Sequence, residues 1–269
     1  MRPSEGSPSK GLRRGDLLLA FAVTALLLAL WAAIVAFLGL ERRQALRSAE
    51  SHVRALSLAF EEQTFWLLAS IEQLMTVLAD DFQAQPDGFH LNHALERFSI
   101  PLGVKLQAAI ISPDGQLLES DLGPVSDTID LSDREHFRIH LQRPDAGIFL
   151  SKPVLGRRSG RWSIQITRRL NRPDDSFAGV LVISLDPLYF ARFYQNASLG
   201  SNGAVELIGT DGVVRAFSDG LPAVGPSTEL PVANPLIMEH WRRSPTGTLT
   251  TEGAVDGARR IYGYRQGRR

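Results

Sequence analysis

Residues 17–40, LLLAFAVTALLLALWAAIVAFLGL, are 24 consecutive positions without a charge, near the start of a 269-residue chain. At about 1.5 Å rise per residue such a run covers a hydrocarbon core of about 30 Å, whereas the apolar region of a cleaved signal peptide is roughly 7–15 residues long. An uncleaved membrane anchor is expected at 17–40, preceded by a short tail, 1–16. The flanking basic residues do not set its direction: Arg2, Lys10, Arg13 and Arg14 stand on one side, Arg42, Arg43, Arg47 and Arg54 on the other. Size decides instead, with the short tail left in the cytoplasm and the remainder exported. The chain has no cysteine, which makes it indifferent to the redox poise of either compartment.

Lys plus Arg and Asp plus Glu each number 29, so no field of one sign points to a nucleic-acid partner. Local basic clusters, Arg157 with Arg158 and Arg161, or Arg168 with Arg169, read as solvated loop and strand faces. Residues 41–84 contain neither proline nor glycine, and apolar side chains recur at Leu46, Ala49, Val53, Leu56, Phe60, Leu67, Ile71, Leu74 and Leu78. That spacing is a heptad seam on one long stalk helix. The seam can pair two copies of the chain as a homodimer, or it can lie against the domain that follows; both hold if its first half pairs between chains and its second half covers a sheet. Gln85, Pro86, Asp87 and Gly88 end the helix.

Beyond residue 100 the period becomes strand-like and a unit repeats. KLQAAIISPDGQLLES, from Lys105, and AVELIGTDGVVRAFS, from Ala204, are each two β-runs about an Asp-Gly turn. From Asp114 to Gly147 is 33 residues, and from Asp211 to Gly247, which opens the corresponding downstream segment, is 36. The fold class is α+β: a transmembrane helix, a long stalk helix and two antiparallel-sheet subdomains at 85–190 and 191–269. WSIQITRRL and FAGVLVISL supply two long central strands of the first. The second stops at Arg269 without its closing strand, so the chain is expected to be an N-terminal piece of something longer.

The order of membrane helix, long helix, strand-Asp-Gly-strand, DLSDREHFR, SGRWSIQITRRL, DDSFAGVLVISLDPLYF and LGSNGAVELIGTDG resembles the double Cache, tandem PAS-like, extracytoplasmic sensor domain. More narrowly it is similar to the version found before bacterial diguanylate cyclases and phosphodiesterases, and sometimes histidine kinases. The resemblance implies an inner-membrane sensor with its domain in the periplasm, feeding cyclic-di-GMP signalling, with a histidine kinase or chemoreceptor as the alternative output. A ligand-free, membrane-anchored dimerisation protein is the reading from another class.

The resemblance also implies a small-molecule ligand in the membrane-distal subdomain: a carboxylate, an amino acid or a small polar molecule. Its basic residue in DREHF matches Arg134, whose planar fork suits a carboxylate. The slots that hold Trp and Tyr in amino-acid-binding relatives hold His136 and Phe137 here. Period two puts Trp162, Ile164, Ile166 and Arg168 on one strand face and Ser163, Gln165 and Thr167 on the other. Trp162 and Arg168 are then either pocket walls, or a core residue and the partner of Asp133 or Asp186. Where those relatives carry an Asp for the ligand ammonium this chain has Ser184, with Asp186 two positions on, on the same face if the strand continues. No metal or cofactor is expected. His136 and His140 share a helical face, but no HExxH pattern, nucleophile elbow or phosphate loop surrounds any candidate, and the chain is read as a binding module without enzymatic activity.

Overall fold

The computed structural model describes residues 14–98, 106–187, 189, 203–218 and 232–268. Most of the expected tail and the start of the expected second subdomain lie outside them. The chain divides into two compact units, residues 1–52 and 53–269.

Helix α1 spans Arg14–Ala84. Its N-terminal part carries the apolar run, where Leu18 is 70% and Phe21 74% exposed. Among the described residues it is the one helix long and apolar enough to cross a membrane, with a mean hydropathy of 2.7 over 18 residues. The helix stops where the sequence said it would, at a 3₁₀ turn, Pro86–Gly88, followed by a short helix α2, Leu91–Glu96.

The strands β1 (Leu106–Ile111), β2 (Leu117–Ser120), β3 (Ile148–Leu155), β4 (Trp162–Asn171) and β5 (Phe177–Leu185) form one antiparallel sheet in the order β2-β1-β5-β4-β3. Helix α3, Glu135–Gln142, lies in the connection from β2 to β3. The two long central strands read from the sequence are β4 and β5, paired in register from Ile164↔Leu185 to Leu170↔Gly179.

Both faces of this sheet are buried, which is why β4 and β5 are apolar or small along most of their length. On one face Ile110, Ile164, Ile166, Leu181 and Ile183 pack against Leu67, Ile71, Met75 and Leu78 of α1, all of them almost wholly buried. Fully burying one such side chain is worth about 1.5–3 kcal/mol, so the second half of the heptad seam is committed to the chain's own sheet. On the other face Phe137 of α3 packs with Ile111, Val180 and Val182.

Beyond the five-stranded sheet the described residues form two hairpins, β6 (Val205–Ile208) with β7 (Val214–Ser218) and β8 (Thr246–Glu252) with β9 (Arg259–Arg265), and a helix α4, Pro235–Arg243. The amide of Leu236 donates to the Asn234 side chain at 2.9 Å, which caps α4, while the Asn234 amide group donates to Thr251 Oγ1 and the Glu252 carbonyl, fixing the helix on β8.

Candidate functional site

The face of the sheet turned away from α1 is not apolar throughout. On β4 Ser163, Gln165 and Thr167 are 6%, 5% and 0% exposed, a row of buried polar side chains in a central strand. Buried polar groups require partners, and these have them. The Ser184 hydroxyl of β5 donates to Gln165 Oε1 at 2.7 Å, and Gln165 Nε2 donates to Ser163 Oγ at 2.7 Å. Thr167 Oγ1 donates to the His136 carbonyl and lies 2.9 Å from His140 Nε2, tying α3 to the strand.

Above Gln107, Ser184, Gln165 and Ser163 is a cavity of ≈ 80 Å³, roofed by Arg134, His136 and the β3–β4 turn with Arg157 and Arg158. That is several times the roughly 10–15 Å³ that a cavity needs to hold one water.

Arg134 occupies the N-cap position of α3 but makes no side-chain cap bond; its Nη2 donates instead to the Leu155 carbonyl at 3.1 Å. Burial, and then the neighbouring charge of Arg157, lower its pKa. Arg157 is gripped by Asp133 through two 2.7 Å bonds, and it also donates to the Asp130 carbonyl. Arg158 Nη2 donates to the carbonyls of Gly123 and Pro124, at 3.1 and 2.9 Å. Two buried atoms in this roof lack a hydrogen-bond partner, His136 Nδ1 and Arg158 Nε. Burial first, and Arg134 second, lower the His136 pKa to about 4, so the imidazole is neutral near pH 7.

Of the seven residues named from the sequence, Arg134, His136 and Ser184 line this cavity and four do not. Phe137 is 2% exposed in the packing between α3 and the sheet, its ring 5.9 Å from that of Phe177. Trp162 and Arg168 share their face with Ile164 and Ile166, and that face meets α1, so the period-two grouping holds but the opposite face forms the floor. β5 ends at Leu185, so the strand on whose face Asp186 was expected does not reach it. The sequence reading passed over Gln107, Ser163, Gln165, Arg157 and Arg158. The first three were detectable as polar positions in otherwise apolar strands. The two arginines, read as a solvated loop face, reach the cavity only because the β3–β4 turn folds over it.

A family model described as dCache_1_like, a histidine kinase sensor domain, matches residues 187–268. The extracellular domain of rpHK1S-Z16, described as a histidine kinase, superposes with a TM-score of 0.72 at 27% identity, covering 84% of this chain and 92% of that one. The ligand-binding domain of the Pseudomonas fluorescens chemoreceptor CtaA, solved with L-alanine, gives 0.55 at 15% identity, covering 78% and 87%. That of the Campylobacter jejuni chemoreceptor Tlp3, solved with L-valine, gives 0.51 at 11% identity, covering 81% and 88%. No curated protein matches the chain. The double Cache resemblance drawn from the sequence therefore fits, and the likeness is to sensor domains of histidine kinase and chemoreceptor type.

Proposed function

We propose that this chain, a double Cache sensor of histidine kinase or chemoreceptor type, is a membrane-anchored extracytoplasmic input module that binds a small molecule in the cavity between its five-stranded sheet and α3. The observation that carries this reading is the cavity itself: a polar floor inside an apolar sheet, a guanidinium at its roof and two buried nitrogens there without partners. Nothing about sheet packing calls for a row of buried Ser and Gln side chains, and a ligand does.

Residues 17–40 anchor the module, and the exported part lies in the periplasm. A histidine kinase or chemoreceptor output is favoured over a diguanylate cyclase or phosphodiesterase, because the matching family model describes a histidine kinase sensor. Since the stalk seam from Leu67 onward is occupied by the sheet, homodimerisation through α1 would use its earlier part, where Leu46 is 44% exposed. Ligand acts by binding two arrangements of the module unequally, and it shifts their populations by no more than that difference. The module itself carries out no reaction.

A thermal-shift screen of the full chain in detergent, against amino acids, organic acids, polyamines and nucleobases, tests the reading, because a ligand that binds only the folded state raises the midpoint. One class should raise it, and Arg134→Ala should abolish the rise. A folded protein whose midpoint none of these moves would overturn it.

A further inference from the structure

The lining of the cavity is charged in one sense only. Arg134, Arg157 and Arg158 contribute guanidinium groups, and among the described residues no carboxylate lines the cavity. Asp133 balances Arg157 through its two 2.7 Å bonds. Arg134 and Arg158 are held by backbone carbonyls, which orient them without neutralising them.

The floor is neutral, and its hydrogen bonds run one way. Ser184 donates to Gln165, and Gln165 donates to Ser163. The Gln165 carbonyl oxygen is thereby engaged, and the atoms in the roof that lack partners are an arginine Nε–H and an imidazole nitrogen. A carboxylate entering this space meets the guanidinium groups of Arg134 and Arg158, which only backbone carbonyls hold. An ammonium entering it leaves water for a site with no anion to replace that hydration, which is among the costliest transfers a small ligand can make.

We infer that the cavity selects small monocarboxylates and discriminates against amino acids of the same size, an inference that rests on this cavity being the ligand site. The carboxylate sits under Arg134 and Arg158, and the remainder of the molecule lies on the Gln107, Ser184 and Gln165 floor. A cavity of ≈ 80 Å³, several times the roughly 10–15 Å³ needed for one water, suits small acids, and two- to four-carbon acids and hydroxy acids are the matching class.

The experiment uses the full chain in detergent and four probes of nearly equal size: propionate, lactate, L-alanine and L-alaninamide. Each is measured by thermal shift and calorimetric titration. Propionate or lactate should bind at least about tenfold tighter than L-alanine, a difference of about 1.4 kcal/mol, and L-alaninamide should not bind. Arg134→Ala should remove the response. Ser184→Asp places a carboxylate on the floor and should shift the preference from lactate toward L-alanine. L-Alanine binding as tightly as lactate would overturn the inference while leaving a ligand site in place. So would silence of all four probes when another class in the broader screen responds. If no compound of either set moves a folded protein, the sensor reading falls as well.

Discussion

Thr167 is fully buried and has a bond to satisfy on either side. Because its hydroxyl donates to the His136 carbonyl, its oxygen is left to accept from His140 Nε2, which puts the His140 proton on that nitrogen and leaves Nδ1 bare. Burial, not this bond, holds both histidines neutral, with pKa values lowered to about 4. The consequence for stability has a definite sign. Between the ordinary value near 6.5 and about 4 the unfolded chain takes up protons that the folded chain refuses, so stability falls as the pH falls through that window. For His136 the loss amounts to about 3 kcal/mol once the pH is below 4. Thermal midpoints measured from pH 7 to pH 4 should decline, and a His136→Gln/His140→Gln double variant should decline less steeply. An unchanged slope would exclude the two histidines as its source. Arg169 reinforces this join: its Nη1 donates to the His140 carbonyl at 2.6 Å while its guanidinium lies 4.5 Å from the Phe177 ring centroid.

At the scale of elements, the sheet depends on a close approach of β5 to the end of β1. Gly179 adopts φ 142°, and a Cβ there would stand 2.2 Å from the Ile111 carbonyl oxygen. That oxygen belongs to backbone inside the ladder, where Ile111 pairs with Val180, and it cannot move aside without breaking the register. Gly179→Ala should lower stability by several kcal/mol, on the order of a large core truncation, seen as a drop in the denaturant midpoint. A midpoint within experimental error of the parent would show that β1 yields more easily than the packing implies. The element whose partner the sequence left open is α1. Its heptad stripe was compatible with a second chain or with the chain's own sheet, and from Leu67 to Leu78 the sheet takes it. A stripe of apolar residues states only that something must cover it, not what does.

For the molecule as a whole, the last described strand returns to the stalk. β9 approaches α1 so closely that a Cβ on Gly263 would stand 2.6 Å from the Val53 carbonyl oxygen. A few residues along, the buried carboxylate of Glu61 is met by Arg268 Nε at 3.1 Å and by Arg265 Nε at 3.6 Å. Replacing both arginines by alanine strands that carboxylate. Because the arginines are part-exposed, the cost should be about 1–3 kcal/mol rather than the full penalty of an unpaired buried charge. Hydrogen exchange should quicken along 259–268 before it does in β4 and β5, and equal protection in parent and variant would show that the charges do not hold this strand. Much of this architecture was legible beforehand for local reasons. An uncharged run long enough for a bilayer, a helix free of Pro and Gly, Asp-Gly turns and strand alternation are each written in neighbouring residues. Alternation also grouped Trp162 with Arg168 and Ser163 with Gln165 correctly. Which group borders the cavity was not local, because it follows from the face on which α1 lands. The same holds for Gln107, Arg157 and Arg158, which come to one cavity from separate stretches of chain. The sequence by itself determined the elements and their faces, since propensity, turn chemistry and periodicity act within a few residues. Only the tertiary structure decided which face was sealed and which was left polar around a cavity, because burial is settled between segments that the chain brings together from far apart.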